Sequence, residues 1–179
     1  MELPRIVNRV PDKFLSSIIQ GNIRGLNLYD KTKVLSLERF AEIYKSITIA
    51  LTETHLSGDI EDTEITIKGW SLFRGDRCVR KCGGSIIYVK DGIPVTEESN
   101  FSNGYCDIIA VFLPSKNTAL VSLYRPPGCS SDSFLEGLGF LDCWMSRIHD
   151  NYDSPNLYIT GDFNLGFLQD WNNDLIQEF

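Results

Sequence analysis

Short apolar, strand-like runs interrupted by only two helical patterns constrain the fold of this chain more than any other feature. Leu37, Phe40, Ala41 and Tyr44 recur at helical spacing and predict a first helix around residues 33–45. Phe134, Leu138, Leu141, Met145 and Ile148 make one apolar stripe, and Ser133 with Glu136 has capping-box spacing, so a second helix is expected there. Residues 47–55 are β-branched and apolar, and 65–74, Ser85–Lys90, 105–113 and Thr118–Tyr124 lack helical spacing. Another short apolar run occupies 156–160. The separators Lys90-Asp91-Gly92 and Pro114-Ser115-Lys116-Asn117 predict hairpins or tight turns between neighbouring strands. Helices flanking a mixed set of strands imply an α/β layered domain.

Polar residues end several of these runs. Gly161-Asp162-Phe163-Asn164 follows 156–160, and in extended chain Asp162 and Asn164 point one way while Phe163 points the other. An Asp that can take a proton beside an Asn that can hold a phosphate oxygen suits phosphoester hydrolysis. Gly-Asp is also ordinary turn chemistry. Asn22 lies beyond a run from Phe14 to Ile19, in Gln20-Gly21-Asn22-Ile23-Arg24-Gly25-Leu26. Glu53 ends the run at 47–55, on a face shared with Ile47, Ile49 and Leu51. A carboxylate continuing an apolar face is costly unless it is paired or binds a cation. Tyr124 closes its strand before Arg125-Pro126-Pro127, where the proline pair ends the ladder. His55, two residues after Glu53, reads as a packing or surface residue rather than a second metal ligand, and His149 lies near a helix end, where a cation suits the dipole, with no assigned role.

A chain of 179 residues is one domain by length, and 42% hydrophobic content with 23% charge is ordinary for a globular protein. No run approaches the ~20 apolar residues that span a bilayer, so no membrane partner is expected. The first residues are polar and lack an apolar signal core, which predicts an intracellular protein, nuclear or cytoplasmic. Cys78, Cys82, Cys106, Cys129 and Cys143 form no even framework and read as free thiols. A net charge of −7 opposes nucleic-acid binding unless cations cluster locally. Arg74, Arg77, Arg80 and Lys81 offer such a cluster, either a backbone-straddling loop or a solvated hairpin tip.

Asn at one strand end, Glu at another, Tyr before Pro and then Gly-Asp-Phe-Asn form a series that resembles the endonuclease/exonuclease/phosphatase superfamily. Within it the chain looks most like the apurinic-type endonuclease domain of non-LTR (LINE-like) retrotransposons. That branch is suggested by Asn22-Ile23-Arg24-Gly25-Leu26, Thr52-Glu53-Thr54, Gly69-Trp70, Phe73-Arg74-Gly75-Asp76-Arg77, Gly83-Gly84 and Tyr124-Arg125-Pro126-Pro127. The resemblance implies a four-layer α/β sandwich over residues 14–179, two mixed β-sheets face to face with helices outside, after an extension at 1–13. It also implies a Mg²⁺ (or Mn²⁺) ion held chiefly by Glu53 with Asn22 and Asp162 near it. Catalytic roles would fall to Asp162, Asn164, Tyr124 and Asn22, and the substrate would be DNA nicked to prime a linked reverse transcriptase domain. The family's late Asp and Ser-Asp-His motif are not found, since no His follows His149, so the sandwich is expected to be incomplete at its C-terminus and the chain weak or inactive. Arg24 stands where repair-type relatives carry an Asp. Two other classes are a superfamily phosphohydrolase acting on lipid or nucleotide phosphates, and a non-catalytic binding module.

Overall fold

The structure is a computed structural model that describes residues 5–6, 18–26, 31–77 and 82–165. Strands β1 (Arg5–Ile6), β2 (Ile18–Asn22), β3 (Thr48–Thr52), β4 (Trp70–Gly75) and β5 (Ser85–Lys90) form one sheet in the order β1-β2-β3-β5-β4. Strands β6 (Thr96–Ser102), β7 (Asp107–Leu113), β8 (Thr118–Tyr124) and β9 (Asn156–Asp162) form a second sheet in chain order. The helices are α1 (Lys31–Tyr44), the single turn α2 (Asp62–Ile65) and α3 (Ser131–His149). Both sheets are mixed, and each contains one parallel pair, β2 with β3 and β8 with β9. Parallel neighbours need a crossover, and α1 and α3 supply it.

Three apolar layers hold the elements together. Leu37 and Ala41 of α1 pack on Ile19, Ile49, Leu51, Ile86 and Tyr88 of the first sheet. Phe134, Leu141, Trp144 and Ile148 of α3 pack on Ile108, Ala110, Phe112, Val121 and Leu123 of the second. Between the sheets lie Ile18, Ala50, Ile87 and Val89 from one and Ile109, Val111, Leu113 and Leu120 from the other. The result is the four-layer α/β sandwich, with helices outside two face-to-face sheets. Strands β3, β7 and β8 are buried along their whole length, so they read as continuous apolar runs.

Several local expectations are corrected. Residues 62–65 are the helical turn α2, capped reciprocally by Glu61 and Glu64, and the strand expected over 65–74 begins only at Trp70. The N-cap of α3 is Ser130, whose hydroxyl accepts from the Ser133 N–H at 3.2 Å; Glu136 instead accepts from Asn103 Nδ2 at 2.8 Å. Lys90-Asp91-Gly92 does turn, with Ile93 N–H donating to Lys90 O at 3.2 Å, but it carries the chain from one sheet to the other. The polar strand β6 had no apolar alternation to announce it. Arg5–Ile6, in the stretch read as an extension, pairs antiparallel with β2. Among the described residues no helix is long and apolar enough to cross a membrane.

Candidate active site

The inter-sheet layer changes character along the strands. Going from Ile18 to Asn22 on β2, from Val89 to Ser85 on β5 and from Leu113 to Asp107 on β7, apolar side chains give way to polar ones. The crossovers through α1 and α3 make β2, β3, β8 and β9 finish at the same end of the sandwich. Ligand sites of parallel α/β sheets gather at such carboxyl ends. Ser122 of β8 donates across the layer to Leu51 O of β3 at 3.3 Å, and Gln20 of β2 reaches Gly161 O of β9 at 3.3 Å. There the Thr52 and Ser85 hydroxyls are buried without a hydrogen-bond partner among the described residues, a local cost in stability.

Asn22 and Asp162, 140 residues apart, meet at this end: Asn22 Nδ2 donates to Asp162 Oδ2 at 2.8 Å. Asp162 Oδ1 accepts from the Asn164 backbone N–H at 3.3 Å, so both oxygens of the carboxylate are oriented by donors. The Asn164 side chain is placed differently from the sequence expectation. Its Nδ2 donates to Arg125 O at 2.8 Å, so its backbone, and not its amide, steadies Asp162. Phe163 turns the other way and packs on the α3 side of the sheet. Gly161 permits the arrangement, because a Cβ there would lie 1.9 Å from Leu123 O at a φ of +140°. Arg125 fastens the turn further: its backbone N–H donates to Asp162 O at 2.8 Å and its guanidinium to Asn164 O at 3.2 Å and Cys129 O at 2.8 Å.

Glu53 arrives by a backbone kink. Strand alternation assigned it to the face of Ile49 and Leu51, which lies beneath α1. Its φ of +53° is left-handed and takes the carboxylate out of that alternation. Such a conformation costs a non-glycine residue about 1–2 kcal/mol and persists where the surroundings enforce it. Here Gly25 N–H donates to Glu53 O at 2.7 Å. The Glu53 carboxylate, one-fifth exposed, accepts from the Tyr124 hydroxyl. Burial, reinforced by that hydrogen bond and by the charges of Glu53 and Asp162, pushes the Tyr124 phenol far above its ordinary range, so it stays a neutral donor. Tyr124 thereby senses Glu53 of one sheet and Asp162 of the other. His55 Nε2 lies 4.0 Å from Glu53 Oε2, and its ring borders Gly25.

Arg74 and Arg77 are not free cations. Arg74 pairs with Asp62 at 2.6 Å and with Asp76, and donates to Ile60 O at 2.7 Å and Ser57 O at 3.1 Å. Its role is to tie α2 to β4. Arg77, with 6% of its side chain exposed, donates from Nε to Oδ2 of the fully buried Asp107 at 2.8 Å. Arg77 Nη2 lies 2.6 Å from the same oxygen without hydrogen-bond alignment, a purely ionic contact. Gly84 N–H and the Ser102 hydroxyl also donate to Asp107, at 2.9 and 2.7 Å. The Arg77 guanidinium lies 5.3 Å from the centre of the Tyr124 ring. This explains Gly83-Gly84: a Cβ on Gly83 would come within 2.5 Å of Arg77, and one on Gly84 within 2.7 Å of the Thr54 hydroxyl. Arg80 and Lys81 lie outside the described residues. Sequence reasoning gave Gln20 and Arg125 no role at this end and read Arg77 as a nucleic-acid contact, missing its pairing with Asp107, for which the paired glycines were the available signal.

Among the described residues no three His, Cys, Asp or Glu side chains form a metal cage. Magnesium does not need one, since it is commonly held by one or two carboxylates with water and substrate phosphate completing the shell. Glu53 and Asp162 supply hard carboxylate oxygens of that kind, Asn22 Oδ1 keeps a second lone pair beside the one given to the Arg24 N–H, and the exposure of Glu53 leaves it reachable. The chemistry of these donors fits the ion.

No protein-family model and no curated protein matches the sequence. Solved structures do. An endonuclease/exonuclease/phosphatase family protein from Bacteroides thetaiotaomicron superposes with a TM-score of 0.60 at 14% identity, covering 90% of this chain and 66% of that one. The AP endonuclease LMAP from Leishmania major gives 0.55 at 19% identity, over 83% of this chain and 55% of that one. TDP2 from D. rerio, complexed with single strand DNA product, gives 0.55 at 14% identity, over 83% and 60%. The chain thus spans less than two thirds of the length of each. At such identities the likeness is one of architecture: the chain has the sandwich fold seen in these endonuclease/exonuclease/phosphatase proteins.

Proposed function

We propose that this chain carries Mg²⁺-dependent phosphodiester hydrolysis, and that its substrate is DNA nicked to leave a 3′-hydroxyl. The observation that carries the reading is the meeting of Asn22, Asp162, Tyr124 and Glu53 from both sheets at one polar end of the sandwich. Asp162, oriented by Asn22 Nδ2 and Asn164 N–H, is the acceptor for the proton of an attacking water. As the water oxygen bonds to phosphorus, the bond to the bridging oxygen breaks; that oxygen takes a proton from solvent and leaves as the 3′-hydroxyl, and the other end keeps the phosphate. Asn22, through the Nδ2 hydrogen not given to Asp162, and Tyr124, once its hydroxyl turns from Glu53, are donors for charge developing on the phosphoryl oxygens, and removing one such donor commonly costs on the order of 10²–10³ in rate. Bound Mg²⁺, held by Glu53 with Asn22 and Asp162 near it, would polarise the phosphate and offset charge on the leaving oxygen.

A DNA complex of a structural neighbour and the motif series support the choice of DNA. The same series favours an element of retrotransposon type, intracellular, working beside a reverse transcriptase domain, with the catalytic unit spanning residues 14–179. The commitment of Arg74 and Arg77 to carboxylates favours a second reading, a small phosphate ester in the same site. Supercoiled plasmid separates the two. Slow nicking in Mg²⁺ that Glu53→Ala and Asp162→Asn abolish is the expected result. Nicking that persists in both variants would refute the site, and turnover confined to small phosphate esters would replace the substrate.

A further inference from the structure

The turn after Asn22 is fastened on every side. Asn22 Oδ1 accepts from the Arg24 backbone N–H at 3.2 Å. From α1, Lys33 Nζ reaches Ile23 O at 3.0 Å and Gly25 O at 2.6 Å. Gly25 N–H donates to Glu53 O at 2.7 Å and Leu26 N–H to Thr54 O at 2.7 Å. Inside this frame Arg24 is exposed and left-handed, with a φ of +47°. Glycine or asparagine would sit there at a backbone cost lower by about 1–2 kcal/mol.

Other cations nearby are already employed. Arg74 and Arg77 face carboxylates, Arg125 holds the 161–164 turn, and Lys33 holds the Arg24 turn itself. Among the described residues the Arg24 guanidinium has no carboxylate partner. It stands two residues from Asn22, at the strand-end site that holds Glu53 and Asp162, in a chain of net charge −7. A polyanion approaching those carboxylates needs a cation at the rim.

We infer that Arg24 is a phosphate-contacting residue at the rim of the site, receiving a backbone phosphate of a nucleic-acid strand next to the one at Asp162. This rests on the DNA reading above. The test is fluorescence anisotropy with a labelled DNA duplex in EDTA, where nothing is cleaved, across a salt series. Wild type, Arg24→Ala, Arg24→Lys and Arg147→Ala are compared; Arg147 is an exposed cation in the last turn of α3. Loss of one duplex phosphate contact should make the slope of log K against log salt shallower by about 0.9. Arg24→Ala should show that change, while Arg24→Lys and Arg147→Ala keep the wild-type slope. A wild-type slope in Arg24→Ala protein that still binds DNA would overturn the Arg24 contact alone. Wild-type protein that binds no DNA at low salt would overturn the DNA reading and this inference with it.

Discussion

Replacing Arg77 by methionine should destabilise the protein more than any exposed arginine replacement would. Asp107 is fully buried, and Arg77 has 6% of its side chain exposed. Without Arg77 the carboxylate keeps Gly84 N–H and Ser102 Oγ as donors, at 2.9 and 2.7 Å, but loses its counter-charge. An uncompensated buried charge costs about 3–5 kcal/mol. In a domain of this size each kcal/mol moves Tm by about 2–4 °C, so the midpoint should fall by roughly 6–20 °C. Thermal melts by circular dichroism on wild type, Arg77→Met, Asp107→Leu and the double variant provide the measurement. Removing both charges leaves no orphan, so the double variant should melt above Arg77→Met. A drop under ~2 °C for Arg77→Met, or a double variant as unstable as the two singles added, would show that solvent reaches the pair and would refute the argument.

Gly161→Ala should lose more than ~3 kcal/mol in chemical denaturation, because its Cβ would lie 1.9 Å from Leu123 O; a loss within about 1 kcal/mol would contradict that packing. Mg²⁺ at about one hundred times its dissociation constant should stabilise the wild type by ~2.7 kcal/mol, and Glu53→Gln should remove the effect; equal stabilisation in both would place the ion elsewhere. Burial, with the neighbouring Cys129 and Asp107 adding to it, pushes the Cys106 thiol from 9.0 up to about 12. A raised folded-state value contributes stability that is present below the unfolded value and lost as pH rises through the folded one. Stability should therefore fall between pH 9.0 and about 12 by on the order of 1 kcal/mol per pH unit from this group, and Cys106→Ala should flatten the denaturation-versus-pH curve across that window.

Much of the layering was legible in the chain. The runs at Ser85–Lys90 and Thr118–Tyr124 became β5 and β8 with the expected bounds, because strands in a sandwich interior must be apolar on both faces. Both helices followed from one apolar stripe each, which had to cover a sheet. Strand β6 was invisible because it lies at a sheet edge, where Thr96, Glu97 and Glu98 stay exposed. The true cap of α3 escaped because two serines three residues apart, Ser130 and Ser133, both satisfy a capping pattern, and only backbone geometry chooses between them.

Residue types and their order along the strands determined which groups could do chemistry: Asn22, Glu53, Tyr124, Asp162 and Asn164 each stand at a strand end or just beyond one. Periodicity could not say which face Glu53 would take, since a left-handed residue after Thr52 overrides alternation and depends on Gly25 across the sheet. Nor could it separate a free arginine from a committed one. Arg74, Arg77 and Arg24 are the same residue in sequence, and their difference lies in carboxylates brought from as far as Asp107, 30 residues away from Arg77. Local propensity acts over a few neighbours, whereas burial and charge pairing are decided by what the folded chain places across the gap.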